Sequence, residues 1–306
     1  MAESAQNQSG LSESIGKYLD DLEFGHHFSP LTVRNYTLYL KRFLEFISVK
    51  IKKPEISHIS RSIVENYKTN LSRMGLSTKT LGFHLIALRS FLKWKRKKGV
   101  ATLNVEEVVV PKTAGSKMNF LSGSNVEKLL GSPDLGTMQG KRDRAIMELL
   151  YSTGLRVSEL AALDRDNVDL IKKEIVIIKN GKRKRSMFLS LRALGWIENY
   201  LKSRKDTGNA LFIHHRGVEG SDARLTVRSI QRAIVKYKKK VGITTEVTPK
   251  TLRASFAIDL LLVGADTKSV QEMLGHKNIS TTQIYTHVTN KQLKDVHRAF
   301  HGKGGN

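Results

Sequence analysis

Apolar positions recur at three- and four-residue intervals from Leu11 onward, and Ile15, Tyr18, Leu19 and Leu22 outline a first amphipathic helix. Ser29-Pro30 predicts the start of a second, with serine as N-cap and proline at the first helical position. That segment directs Leu31, Tyr36, Leu38, Leu40, Phe43, Leu44 and Ile47 toward a core and keeps Arg34, Lys41 and Arg42 elsewhere. A third helix is predicted from Ser60 to Met74. A fourth begins at the cap Ser77, carries Leu81, Leu85, Leu88, Phe91 and Leu92, and ends in Lys93-Trp94-Lys95-Arg96-Lys97-Lys98 before Gly99. Residues 11–100 therefore predict a compact all-helical domain, with residues 1–10 a flexible polar lead-in. Helical periodicity is lost over 101–120, which is expected to be an interdomain linker.

A second domain is expected over 121–306. Ser122 or Ser124 caps a helix through Val126, Leu129 and Leu130, and another runs from Lys141 to Ser152 and stops at Gly154. The β-branched run Ile175-Val176-Ile177-Ile178 then breaks the helical period. Asn180-Gly181 is a strong hairpin signal, because a type I′ turn needs positive φ at both positions. Lys182 to Leu191 returns as the partner strand, followed by helices at Leu191–Arg204 and Val227–Val241. Thr248-Pro249 opens a helix ending near Val263-Gly264, and Asp266 or Thr267 caps the next, which leads to Leu274 and the stop residue Gly275. Ser280 and Gln283 have capping-box spacing, so a short helix is expected there, with Tyr285 on it and His276 just ahead of the turn. The fold class is thus mainly α with a small β-hairpin or sheet in the second domain (α+β).

Charge changes the picture most. The 306 residues carry 52 Lys and Arg against 28 acidic residues, a net charge of +24 spread over the whole chain. Such an excess opposes compaction and points to a polyanionic partner gripped over a large surface. The run Lys93, Lys95 and Arg96, together with Arg34 and Lys182, supplies candidate phosphate contacts; the run also suits the helix dipole as a solvated last turn. An anionic membrane has no support, since no lipidation signal, signal-peptide core or bilayer-length apolar run is present. The absence of cysteine excludes disulfides and cysteine zinc sites, and makes a reducing cytoplasm the expected compartment.

The candidate chemistry is cationic. Arg156 follows Gly154 and is either an ion-pair partner of Glu159 or an anion clamp. Arg253 lies three residues after Lys250, so both project from one face at the positive end of a helix. Lys179 and Lys182 flank the hairpin turn. A tyrosine is by residue type a packing residue, and Tyr285 gains weight only from this company: two arginines, lysines and a histidine, with no acidic cluster suited to Mg²⁺. Phosphoryl transfer without a metal or other cofactor needs cationic side chains to neutralise charge, and arginine forks suit that task.

Thr153-Gly154-Leu155-Arg156-Val157-Ser158-Glu159-Leu160, Leu252-Arg253 with Phe256-Ala257, and Leu274 through His287 resemble the tyrosine recombinases, or phage-type integrases, and among them the Xer-like members. The resemblance implies a site-specific DNA recombinase whose SAM-like core-binding domain (11–100) and catalytic domain (121–306) close on duplex DNA as a clamp. It implies Tyr285 as nucleophile forming a 3′-phosphotyrosyl link, Arg156 and Arg253 as phosphate clamps, Glu159 as the orienting carboxylate and His276 as a donor to a non-bridging oxygen. The general acid toward the leaving 5′ oxygen falls on Lys179, with Lys182 the alternative. Family members mostly carry histidine where this chain has Lys250, which points to a fixed cationic donor there. The resemblance also implies a homotetramer on two DNA sites, a Holliday junction, and a C-terminal helix at 290–301 that docks on a neighbouring protomer. A type IB-like topoisomerase and a silent DNA-binding regulator are the rival readings. Dimer resolution in chromosome segregation and mobile-element integration both remain open, as do the target sequence and any second recombinase or accessory protein.

Overall fold

The computed structural model describes residues 10–25, 28–112, 118–179, 182–215 and 223–286. The chain forms two compact units, Met1–Ser116 and Lys117–Asn306. Among the described residues no helix is long and apolar enough to cross a membrane.

The first unit contains α1 (Leu11–Asp20), α2 (Pro30–Lys50), α3 (Arg61–Arg73) and α4 (Thr78–Lys97). Each of the last three begins where its serine predicts: Ser29, Ser60 and Ser77 accept N–H bonds from Thr32, Ile63 and Thr80. The core gathers Leu81, Leu85, Leu88, Phe91 and Leu92 of α4 against Leu40, Phe43 and Ile47 of α2 and Val64, Tyr67 and Leu71 of α3. Two expectations fail on α2: Leu31 and Leu38 are 58% and 52% exposed. Helical geometry explains it, since Leu38 lies about 200° around the axis from Leu40 at 3.6 residues per turn and cannot share its buried stripe.

The second unit begins with α5 (Gly123–Leu130), capped by Ser122, followed by α6 (Met138–Thr153) and the single-turn α7 (Val157–Ala161). Gly154 ends α6 at φ +59, a conformation that an L side chain resists. A three-stranded antiparallel sheet follows, in the order β1 (Val168–Asp169), β2 (Glu174–Lys179), β3 (Lys182–Phe188). Its register pairs Ile175 with Met187, Ile177 with Arg185 and Lys179 with Lys182, with a bulge between Ile177 and Ile178. The predicted turn Asn180-Gly181 lies outside the described residues. Next come α8 (Leu191–Ser203), α9 (Val227–Lys240), α10 (Pro249–Leu262) and α11 (Thr267–Leu274). Residues 280–286 form a last short helix, α12. Its first turn is tied by the Asn278 side chain, which accepts from the Ser280 N–H, so Asn278 and not Ser280 opens it. The core sets Ile146, Leu149 and Leu150 of α6 among Ile197, Ile230, Ile234 and Leu252.

Sequence periodicity left 204–226 unread. Within its described part Arg204 is buried and donates to the carbonyls of Ala210, Leu211 and Gly208, folding residues 204–211 around one guanidinium. The predicted docking helix 290–301 lies outside the described residues.

Candidate active site

Three chain crossings meet behind Gly154. A Cβ on that glycine would stand 2.6 Å from the Phe256 ring of α10 and 2.8 Å from a Leu274 methyl of α11. Only glycine allows α6, α10 and α11 to approach this closely, and the approach sets the positions of the charged side chains.

Arg253 comes from α10, where it is 6% exposed. Its two terminal nitrogens donate to carbonyls, one to Gly154 and the other to Leu274 at 2.8 Å. Burial, reinforced by the Arg156 charge, brings its pKa down to about 10, so the guanidinium stays cationic at neutral pH. Arg156 caps α7. Its main-chain N–H donates to Glu159 Oε2 at 2.8 Å, its Nη1 to Glu159 Oε1 at 3.2 Å, and its Nη2 to the Gly275 carbonyl at 3.1 Å. Both arginines therefore spend part of their forks on fixed acceptors, which holds the forks in place.

Tyr285 on α12 is 5% exposed. Burial holds its phenol above the usual pKa, and the charge and hydrogen bonding of Arg253, which faces the hydroxyl, oppose that rise. The His276 ring is stacked beside the Tyr285 ring, centroids 6.3 Å apart and planes 15° apart. His276 Nδ1 lies 2.9 Å from the Thr282 hydroxyl. Its pKa falls to about 4, first through burial and then through the charges of Arg253, Arg156 and Arg185, so at neutral pH the imidazole is uncharged. An open pocket of about 740 Å³ adjoins the group, lined among others by Arg156, Glu159, Arg185, Gly275 and Lys277.

The structure thus brings together Arg156, Glu159, Arg253, His276 and Tyr285 from four separate elements. Lys250 stands in the first turn of α10, exposed, and among the described residues no hydrogen bond or ion pair reaches it. Lys179 and Lys182 are paired in register at the turn end of the β2–β3 ladder, and their side chains lie outside what is described. In the first unit Arg34, Lys93 and Arg96 are exposed, Arg96 donating to Asn104 at 3.1 Å. Lys95 departs from the expected phosphate face. It is 7% exposed, its ammonium lies 5.6 Å from the Trp94 ring centre, and burial lowers its pKa. Among the described residues no group of three or more His, Asp or Glu could hold a metal ion.

Sequence reasoning missed Arg185, whose Nη2 donates to Glu159 Oε2 at 3.0 Å. A partial signal was present: period-two alternation puts residue 185 on the same strand face as the apolar Met187, and so toward the core side.

The phage integrase family profile matches residues 119–292, and the profile of the phage integrase N-terminal SAM-like domain matches residues 15–99. The tyrosine recombinase XerD of Listeria monocytogenes serotype 4b is 35% identical over 299 residues, covering 95% of this chain and 99% of the relative. The tyrosine recombinase XerC of Pelotomaculum thermopropionicum is 34% identical over 302 residues, covering 94% and 97%. In fold, the chain is similar to the XerH site-specific recombinase bound to palindromic difH substrate in a post-cleavage complex: TM-score 0.73, 22% identity, covering 95% of this chain and 85% of that one.

Proposed function

The chain belongs to the phage integrase family and is a Xer-type tyrosine recombinase acting in site-specific DNA recombination, and from that premise we propose which of its residues carry the reaction. Double-stranded DNA is the partner. The rival readings, a topoisomerase or a silent regulator, find no support among the relatives.

Tyr285 gives up its phenolic proton to solvent, the Arg253 charge favouring the phenolate; Oη attacks the scissile phosphorus, the P–O5′ bond breaks, and a 3′-phosphotyrosyl link forms while Lys179 protonates the departing O5′, with Lys182 the alternative donor. Arg156 and Arg253 neutralise the non-bridging oxygens, and Glu159 orients Arg156. A Thr282 hydroxyl donating to Nδ1 of the neutral His276 leaves Nε2–H to donate to a non-bridging oxygen. Lys250, in the first turn of α10, adds a further cation. The link conserves the phosphodiester bond energy, so a 5′-hydroxyl of the partner strand reseals it without ATP. The observation that carries this reading is the convergence on one phenol: a buried Tyr285 facing the fixed Arg253 guanidinium with the uncharged His276 ring beside it.

The wider proposal keeps residues 11–100 as the core-binding domain, 101–120 as linker and 121–306 as the catalytic domain, the two domains clamping the duplex. Four protomers on two sites exchange strands in pairs through a Holliday junction, with helix 290–301 of each docked on its neighbour, since closed symmetry demands a contact that cycles. Arg34, Lys93, Arg96 and Lys182 contact phosphates. The setting is the nucleoid in the cytoplasm.

Trapping tests the chemistry. On a nicked suicide duplex in EDTA the protein should leave a free 5′-hydroxyl end and a protein-linked 3′ end. A 5′-linked protein, or cleavage abolished by EDTA, contradicts the reading.

A further inference from the structure

Glu159 holds more donors than a simple ion pair requires. Oε2 accepts the Arg156 N–H at 2.8 Å and Arg185 Nη2 at 3.0 Å, and Oε1 accepts Arg156 Nη1 at 3.2 Å. The three side chains grade inward: Arg156 is 44% exposed, Glu159 20% and Arg185 16%. Arg156 alone would neutralise the carboxylate, so a second guanidinium, brought in at the cost of burial, needs another reason.

The second end of Arg185 supplies one. A Cβ at Gly275 would stand 1.7 Å from Arg185 Nη1 and 2.7 Å from its Cζ, so the guanidinium packs directly on the Gly275 backbone. Gly275 is also the residue whose carbonyl receives Arg156 Nη2. Arg185 therefore touches both anchors of Arg156, the carboxylate on α7 and the backbone turn that precedes His276. The strand is built to deliver it: Arg185 pairs with Ile177, at the edge of the bulge, and bulges re-aim side chains. Two adjacent guanidiniums repel unless the carboxylate lies between them, and burial together with the Arg156 charge does hold the Arg185 pKa below its usual value.

We propose that Arg185 is a positioning residue for DNA cleavage: through Glu159 and Gly275 it fixes the direction in which Arg156 presents its fork to the scissile phosphate. The inference rests on the reading of Arg156 as a phosphate clamp. Arg185 acts on the rate of the chemical step and leaves DNA affinity nearly untouched, because the phosphate contacts that dominate affinity lie elsewhere.

The test measures single-turnover cleavage at saturating protein, DNA affinity and melting temperature for the parent, Arg185→Ala, Arg185→Lys, Glu159→Gln and the Arg185→Ala/Glu159→Gln double variant. Arg185→Ala should slow cleavage by up to about 100-fold, the scale of a misplaced catalytic group, with affinity within about twofold. Arg185→Lys, which keeps a cation and loses the planar fork, should fall between it and the parent. The double variant should be no slower than the slower single variant, since both remove one shared support. Cleavage at the parental rate by Arg185→Ala overturns the inference, as does a double variant that loses the product of the two single losses. Should Arg185→Ala melt below the assay temperature, Arg185→Lys decides, and a parental rate there overturns it equally. A parent that forms no covalent adduct contradicts the functional reading itself, an outcome distinct from a cleaving parent whose Arg185→Ala variant cleaves as fast.

Discussion

Gly154→Ala is the smallest change that strikes the frame of the active site, and its cost follows from two separate effects. The residue sits at φ +59, and an alanine held there costs about 1–2 kcal/mol. The added methyl would also lie 2.6 Å from the Phe256 ring and 2.8 Å from a Leu274 methyl. Both neighbours are core side chains, 8% and 0% exposed, so neither swings away freely. Overpacking of that kind costs about 1–3 kcal/mol. The sum, about 2–5 kcal/mol, is a large share of the stability of an ordinary domain. For a unit of this size, each kcal/mol lowers Tm by about 2–4 °C, so the melting of Lys117–Asn306 should fall by roughly 4–20 °C. Differential scanning calorimetry of the full chain reads the shift directly. Because the Gly154 carbonyl accepts from Arg253, covalent adduct formation should fall too, even below the new Tm. Pairing the change with Phe256→Leu should recover part of the loss. A Tm within about 2 °C of the parent refutes the packing argument, since it would mean that the crossing relaxes without cost.

At position 250, Lys250→His should retain cleavage and Lys250→Ala should lose about 10²–10³-fold, the effect of a missing donor to a developing anion. Only the histidine variant should gain an activity limb near pH 6.5, and full activity in the alanine variant would place Lys250 outside the site. In the first unit, Lys93→Ala should reduce the slope of log K against log salt by about 1, while Lys95→Ala leaves it unchanged, because Lys95 is buried against Trp94. Equal slope changes would show that Lys95 reaches the DNA. His84 offers a pH test of stability. It is 2% exposed, its Nδ1 lies 2.9 Å from the Tyr67 hydroxyl, its Nε2 has no hydrogen-bond partner among the described residues, and burial lowers its pKa from 6.5 to about 4. The unfolded chain takes up the proton first, so the stability from keeping His84 neutral is complete above pH 6.5 and is lost as pH falls toward 4, by about 3 kcal/mol in all. A His84→Gln variant should lack this acid-side loss in urea titrations, and an identical pH slope in the two proteins would contradict the assignment.

Much of this fold is legible because it is punctuated locally. Ser29, Ser60, Ser77 and Asp266 cap the helices their side chains announce, and Gly154 and Gly275 stop helices in left-handed turns. These signals need only a few neighbouring residues to be satisfied. Tyr285, Arg156, Arg253, His276 and Glu159 lie in three short motifs, and the structure brings them together. What escaped depends on long-range packing. Nothing near Arg185 in sequence reveals that Glu159, 26 residues away, will be its partner. Lys95 has the same local company as Lys93 and Arg96, yet helical phase turns it inward beside Trp94. Leu31 and Leu38 look like core residues until the stripe through Leu40, Phe43 and Ile47 is fixed by what it packs against. Residues 204–211 are organised by Arg204, a residue whose type ordinarily signals surface.

In the proposed reaction one phenolic oxygen, that of Tyr285, carries the DNA during recombination. The direct measurement compares the parent with Tyr285→Phe on a suicide duplex labelled on the scissile strand, followed by denaturing gels and mass spectrometry of the proteolysed adduct. The parent should yield a 3′-nucleotide attached to the peptide containing Tyr285, and Tyr285→Phe should bind DNA without any adduct. An adduct that survives denaturation in Tyr285→Phe, or nucleotide mass on any other residue of the parent, contradicts it.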